Sequence, residues 1–170
     1  MPLSLVEKLC SNSDIDNIAE LDGKIEFFES PTLKKIHEPE LDNPILSEFV
    51  GIMLGDGYIA EGKPYEVSIV CNSEYDLPYA TQFIPFLFRN LFGLVPKFKK
   101  YTDENAIKVY CYSKQLVIYL TQYVGVPAGR KRDKNLKIPR AFFAENRLLK
   151  ACVRGLIDTE GGIYRHHEHS

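Results

Sequence analysis

The chain of 170 residues has no tryptophan, no apolar run long enough to cross a lipid bilayer and no cysteine pair in a CxxC spacing. The lack of a long apolar run predicts a protein without a membrane-spanning helix, and the N-terminus has no pattern typical of a secretory signal. The four cysteines are far apart, and three fall at positions that we expect in the core: Cys10, Cys71, Cys111 and Cys152. We therefore expect reduced, buried thiols in a cytoplasmic protein rather than disulfides or a zinc site.

The net charge of -2 is small, which argues against an indiscriminate binder of nucleic acid. The average conceals a strong asymmetry along the chain. Residues 1–42 hold ten acids and four bases, whereas residues 97–140 hold eleven bases and three acids, a local charge of +8. Because the local field rather than the net charge steers a polyanion, a basic surface on this protein remains compatible with duplex DNA.

Two stretches of the sequence are alike, Phe49–Gly57 and Val153–Gly161. When they are aligned, four positions correspond: Gly51 with Gly155, Gly55 with Thr159, Asp56 with Glu160, and Gly57 with Gly161. Small residues four apart lie on one helix face, where another backbone can approach closely. Glycine within a helix costs about 1 kcal/mol, so this spacing predicts a compensating contact between the two repeated helices.

Each repeat places an acid at the end of its helix, where the helix dipole already favours cations. Two such ends side by side, with Asp56 and Glu160, would form an anionic point that a hard divalent cation such as Mg²⁺ could neutralise. A metal ion next to a phosphodiester favours hydrolysis. The alternative for Asp56 alone is a simple helix-ending turn, since an Asp-Gly pair is common there.

The pair of motifs resembles that of the LAGLIDADG homing endonucleases. In that family the last acid of each motif binds the catalytic metal, and the two motif helices form the interface between two αββαββα halves. The resemblance implies that Asp56 and Glu160 are catalytic metal ligands, with Mg²⁺ or Mn²⁺ as the active ion and Ca²⁺ as a non-catalytic substitute. The helix interface would consist of Gly51, Gly55, Gly155 and Thr159. Leu54 stands where the family has an inner aspartate, which Asp158 keeps in the second motif.

Periodicity and turn residues predict the same order of elements as one half of that fold. We expect an α+β protein: an αββαββα half with a four-stranded antiparallel sheet over residues 43–150, followed by the second motif helix and the start of a truncated second half over 151–170. Residues 1–42 form an N-terminal extension of unknown role. The predicted hairpins are 56–60 with 65–71 and 95–101 with 106–113, and the predicted helices are 44–55, 74–92 and 113–124.

The open face of the sheet and one loop carry the predicted DNA contacts, since a twisted antiparallel sheet with basic and tyrosyl side chains can lie in the major groove. These residues are Lys97, Lys99, Lys108, Tyr110 and Tyr112 on the sheet, and Arg130, Lys131 and Arg132 in the loop. For the lysines of the third strand, protection of an edge strand is an equal alternative.

The chain departs from the family pattern in two places. It ends ten residues after Glu160, so a truncated gene product, a shortened fragment and a homodimer that supplies the second sheet in trans all stay open. Cys71, Asn72 and Ile163 stand where many members have a polar or basic active-site residue. The sequence predicts a site-specific double-stranded DNA endonuclease of the kind that serves intron or intein mobility. The alternatives are a non-catalytic DNA-binding or RNA-splicing module and an inactive remnant.

Overall fold

The computed structural model of the chain describes residues 36–101, 103–131 and 134–160, with only the backbone described at Glu160. These residues belong to one compact unit. Four helices and four strands follow one another: α1 Pro44–Gly55, β1 Gly57–Ile59, β2 Glu66–Asn72, α2 Ile84–Phe92, β3 Lys97–Tyr101, β4 Ala106–Tyr112, α3 Lys114–Ile118 and α4 Asn146–Glu160. The predicted α+β class is confirmed. No helix in the described ranges is long and apolar enough to cross a membrane.

The four strands form one antiparallel sheet in the order β1-β2-β4-β3. The two predicted hairpins are present, and β2 joins them by pairing with β4 from Glu66 opposite Tyr112 to Asn72 opposite Ala106. Alternation of side chains gives each central strand a buried face, with Val67, Ile69 and Cys71 on β2 and Ile107, Val109 and Cys111 on β4. The sheet therefore has one face against the helices and one open face.

The core lies between the buried face of the sheet and the helices, with α1 at its centre. Every residue of α1 from Leu46 to Gly55 is buried. Phe49 of α1 packs edge-on against Phe88 and Phe92 of α2, with ring centroids 5.3 and 5.2 Å apart. This packing holds the first motif helix rigidly against the rest of the unit.

Local sequence explains how the helices begin and end. The Asn43 side chain accepts hydrogen bonds from the backbone of Ile45 and Leu46, so it caps α1 as predicted, with Pro44 in the first turn. The second predicted helix contains Pro85, which has no N–H to donate. Instead of a simple kink, a π-helical turn over Tyr79–Phe83 precedes α2. A second π-helical segment, Tyr119–Val124, extends α3 to Gly125, which adopts the left-handed conformation at φ 90°.

Two further predictions concern the start of α4 and the cysteines. The helix of the second motif begins at Asn146 itself, one residue earlier than a cap at this position requires. Cys71, Cys111 and Cys152 are buried and free, as expected for thiols in the core, while Cys10 lies outside the described residues. Burial raises the pKa of Cys111 to about 12 and that of Cys152 to about 11. The domain boundaries stay predictions.

Candidate nucleic-acid interface and acidic site

The two motif helices cross at their first glycines. A Cβ atom on Gly51 would lie 2.0 Å from the carbonyl oxygen of Cys152, and a Cβ on Gly155 would lie 2.2 Å from that of Glu48. Real side chains never approach backbone that closely, so each helix requires glycine because of the other. The structure thus brings Gly51 of α1 and Gly155 of α4 together. Gly55 ends α1 and is buried, and Thr159 donates its hydroxyl to the carbonyl of Gly155 at 3.1 Å.

An ion pair joins the same two helices beside the crossing. The Arg154 guanidinium donates through Nε to Oε1 of Glu48 at 2.9 Å and through its second nitrogen to Oε2. The Glu48 side chain is 10% exposed, whereas that of Arg154 is 61% exposed. The hydrogen bonds and the charge of Glu48 raise the pKa of Arg154. A bidentate pair of this kind fixes the register of one helix on the other.

The carboxyl end of α1 carries the first predicted acid. Asp56 occupies the position after Gly55, donates its backbone N–H to Ile52 and accepts a backbone hydrogen bond from Val70 at 3.3 Å. Burial raises the pKa of Cys71 to about 12, and the negative charges of Asp56 and Asp76 contribute to the shift. The Asp56 carboxylate therefore lies near the end of β2.

Carboxylates of both motif helices act on one phenol. Burial raises the pKa of Tyr79, and Asp158 of α4 together with Glu48 and Asp56 raises it further. The hydroxyl of Tyr79 is buried without a hydrogen-bond partner. Glu160 ends α4, but its side chain lies outside the described part, so the meeting of Asp56 and Glu160 stays a prediction.

The basic loop before α4 reaches this acidic region. Lys131 donates a hydrogen bond from Nζ to the carbonyl oxygen of Gly55, and Lys134 lies 3.2 Å from Glu61 in the turn of the first hairpin. The Gly129 N–H donates to the carbonyl of Ile59 at 2.8 Å, which holds the loop against β1. Lys131, predicted as a phosphate contact, thus serves the end of the motif helix. Arg130 is exposed, and Arg132 lies outside the described residues.

The described residues provide only part of a metal site. Among them, no cluster of three or more His, Cys, Asp or Glu side chains could hold a metal ion. Asp56 is the carboxylate at the end of α1, and the adjacent carbonyl of Gly55 already accepts a hydrogen bond from Lys131. A hard cation needs several oxygen ligands, so the fit depends on Glu160 and water.

The open face of the sheet holds the predicted basic and tyrosyl residues. Paired residues of antiparallel strands share a face, and Lys97 pairs with Tyr110 while Lys99 pairs with Lys108. Lys97 and Lys99 are exposed, and the Lys99 ammonium lies 4.7 Å from the ring centre of Tyr101. Tyr110 and Tyr112 contact each other edge-on at 5.4 Å. The structure therefore brings all five predicted residues of the sheet to one face.

Lys108 differs from the other two lysines because it is paired with an acid. Its Nζ lies 2.6 Å from Oε1 of Glu66, which also accepts a hydrogen bond from the Ser68 hydroxyl at 3.0 Å. Burial alone would lower the pKa of Lys108, but the hydrogen bond and charge of Glu66 outweigh it and raise the pKa. Lys108 therefore adds little net charge to this surface.

Three residues of the open face were missed by sequence reasoning. Tyr58 of β1 pairs with Ser68, which pairs with Tyr110, so one row crosses the sheet from Tyr58 to Lys97. Glu66 and Ser68 alternate with buried residues in the sequence, and this period placed them on the open face. The signal could not show that Glu66 meets Lys108, because that contact depends on the register of β2 with β4.

Comparisons with known proteins show limited similarity. No family model matches the chain. A large A-type ATP synthase protein of Pyrococcus abyssi (strain GE5 / Orsay) is 30% identical over 129 residues, which are 75% of this chain and 12% of that protein. The chain is therefore similar to a small part of a much longer protein.

Among solved structures, mesophilic variants of the homing endonuclease I-DmoI are 22% identical with a TM-score of 0.48 over 72% of this chain and 64% of that chain. I-DmoI in complex with DNA and Mn is 21% identical with a TM-score of 0.45, over 69% and 62% of the two chains. This chain spans less than two thirds of either structure, and similarity at this level establishes neither family nor function.

Proposed function

We propose that the chain is a metal-dependent, site-specific double-stranded DNA endonuclease of the LAGLIDADG homing type, or a fragment of one. The observation that carries the proposal is the crossing of the two motif helices at Gly51 and Gly155. The sequence repeat had led us to expect this contact, and it is the feature that ties the two acid-bearing motifs together.

The position of the crossing bears on the two acids. Asp56 and Glu160 each follow their crossing glycine by five residues, which is about 7.5 Å along a helix axis. If the helices run in the same direction, the two carboxylates end up near each other. The influence of Asp56 and Asp158 on the same phenol supports this direction.

The metal is part of the proposal and would be Mg²⁺ or Mn²⁺, held by Asp56, Glu160 and water. Such an ion, when bound, can generate hydroxide and stabilise the leaving oxygen of a phosphodiester. The residues of the chain would orient it: the carboxylates hold the ion, and Lys131 beside Gly55 offers positive charge to a phosphate. The open face would hold the duplex through Lys97, Lys99 and the tyrosines.

One sheet covers only part of a duplex site. A homodimer that brings a second sheet in trans, or a second half on the same polypeptide, would extend the contact. The outer face of α4 favours such a partner, because Val153 and Ile157 are 36% and 54% exposed on a helix that otherwise packs on α1.

Synthesis of ATP is not the function that we propose, although part of an ATP synthase protein is similar in sequence. Gly57 and Gly62-Lys63 have the glycine and lysine spacing of a phosphate-binding loop, but Pro64 stands where that loop needs serine or threonine. The segment also forms a β-hairpin rather than a turn between a strand and a helix.

Selection from a randomised duplex library, followed by cleavage of the selected site, tests the proposal. We expect salt-dependent binding to duplex DNA and cutting in Mg²⁺ or Mn²⁺. Asp56→Asn should abolish cutting while leaving binding in Ca²⁺ within about threefold, because it removes a metal ligand and no sheet contact. Lys99→Met is the matched control: it should weaken binding without abolishing cutting.

The second candidate is a DNA-binding or RNA-splicing module without catalysis. The hydrogen bond from Lys131 to Gly55 favours it, because a fixed ammonium can neutralise the end of α1 without any metal. Duplex binding by the wild type with no cutting of its selected site would select this function. No binding at all would leave an inactive remnant.

A further inference from the structure

An acidic residue on the proposed DNA-binding face needs an explanation of its own. Glu66 points to the open face of the sheet, where a carboxylate opposes the phosphates of a duplex. Its side chain is nonetheless only 12% exposed, and it is bonded to Lys108 and Ser68. The pair lies over β2 and β4, the two central strands of the sheet.

The register of the central strands builds this pair. Ser68 of β2 faces Tyr110, with Glu66 two residues to one side and Lys108 two residues to the other. Because Ser68 is small, the two long side chains meet above it, and it is 1% exposed beneath them. The Tyr110 ring, 5.5 Å from the Lys108 ammonium, supports the pair from the side.

Phosphate binding does not suit these two residues. Lys97 and Lys99 on β3 are exposed and lie toward the edge of the sheet, where a groove-bound sheet meets the backbone of the duplex. Lys108 is partly covered, and its charge is matched by Glu66. The major groove, about 12 Å wide, admits a two-stranded ribbon, so the side chains of β2 and β4 would face the base edges.

The geometry points to a base-reading couple: we infer that Lys108 and Glu66 together recognise one G·C base pair, an inference that rests on the proposed DNA binding. A G·C pair presents the guanine O6 acceptor beside the cytosine N4 donor, about 2.9 Å apart since one hydrogen bond joins them. Lys108 Nζ and Glu66 Oε1 present a donor beside an acceptor at 2.6 Å. Lysine donates to guanine, and glutamate accepts from cytosine.

The same couple disfavours the other base pairs. In a C·G or A·T orientation the donor of the protein meets a donor of the base, and the acceptor meets an acceptor. A T·A pair presents an acceptor and a donor in the correct order, but it lacks the second acceptor that guanine N7 offers to the lysine. Mismatched pairs at this position should bind roughly tenfold or more weakly.

The test measures base preference at each position of the site selected by the wild type. We expect Glu66→Gln and Lys108→Met to lose the preference for G·C at one and the same base pair while preferences elsewhere persist. Ser68→Ala, which removes one hydrogen bond to Glu66 and keeps both charges, should weaken the same preference partially. Lys99→Met should lower affinity equally for all sequences and reduce the salt slope by about 1.

Thermal unfolding of each variant separates loss of folding from loss of recognition. The inference is overturned if Glu66→Gln and Lys108→Met change affinity uniformly over all sequences, or if they relax different base pairs. It is also overturned if the shared position prefers T·A. A wild type that binds no duplex would overturn the proposed function together with this inference, so the two failures are distinguishable.

Discussion

The two motif helices share a sequence pattern but differ in their surroundings. In α1, Phe49 and Met53 are 0% and 1% exposed. The repeat aligns these residues with Val153 and Ile157 of α4, which are 36% and 54% exposed. Both helices bury the glycine face against each other, yet only α1 also buries the opposite side. The motif therefore determines the crossing, whereas burial of the outer face depends on whatever else covers the helix.

The largest effect should come from filling the crossing. Gly51→Ala and Gly155→Ala would each gain helix propensity of about 1 kcal/mol, but the new methyl group meets a backbone carbonyl of the other helix. We expect each to lower the free energy of unfolding by about 3 kcal/mol. Chemical denaturation measures the change.

Gly62→Ala is the matched control for these two substitutions. A Cβ there meets no atom within 4 Å, so stability should change by less than about 0.5 kcal/mol. Equal stability of Gly51→Ala and Gly62→Ala would show that α1 and α4 do not pack as described.

The next largest effect contrasts equivalent residues of the two helices. Phe49→Ala should cost about 3–5 kcal/mol of unfolding free energy because it opens a cavity beside Phe88 and Phe92. Val153→Ala, at the equivalent position of α4, should cost less than about 1 kcal/mol in the monomer. A large cost for Val153→Ala at low protein concentration would mean that this face is already covered within the chain.

The ion pair between the helices should give a smaller, non-additive effect. Arg154→Leu leaves the Glu48 carboxylate buried without its partner, so we expect a loss of about 1–2 kcal/mol, moderated by the exposure of the arginine. The double variant Glu48→Leu with Arg154→Leu should recover most of that loss. Additive losses would show that the two side chains act independently.

The smallest effect concerns the reactivity of Cys152 on the buried side of α4. Because burial raises the pKa of this thiol to about 11, little thiolate exists at pH 8. We expect slow alkylation by iodoacetamide in the native protein, measured by peptide mass spectrometry, with a rate that rises with pH up to about 11. Rapid reaction at pH 8, equal to that of the unfolded chain, would contradict the burial of this face.

Sequence reasoning recovered the features that depend on local signals. The cap at Asn43, both hairpins and the buried sides of β2 and β4 follow from turn residues and a period of two. The crossing of the motif helices followed from the repeated glycines. The π-helical turn before Pro85 could not be assigned, since a proline inside a helix can be accommodated in several ways.

The candidate site was less predictable because its contacts join distant parts of the chain. The approach of Lys131 to Gly55 depends on how the loop from residue 129 docks on β1. The pairing of Glu66 with Lys108 depends on the register of two strands that are not consecutive. Such contacts between residues far apart in the chain leave no local pattern in the sequence.

The central claim is that Asp56 and Glu160 share one divalent ion, and a calorimetric double-mutant cycle with Ca²⁺ tests it most directly. The wild type, Asp56→Asn, Glu160→Gln and the double variant would be titrated under the same conditions. If both acids hold one ion, each single variant should lose at least about tenfold in affinity, and the double variant should lose little more than either. Independent, additive losses, or no divalent binding by the wild type, would contradict the claim.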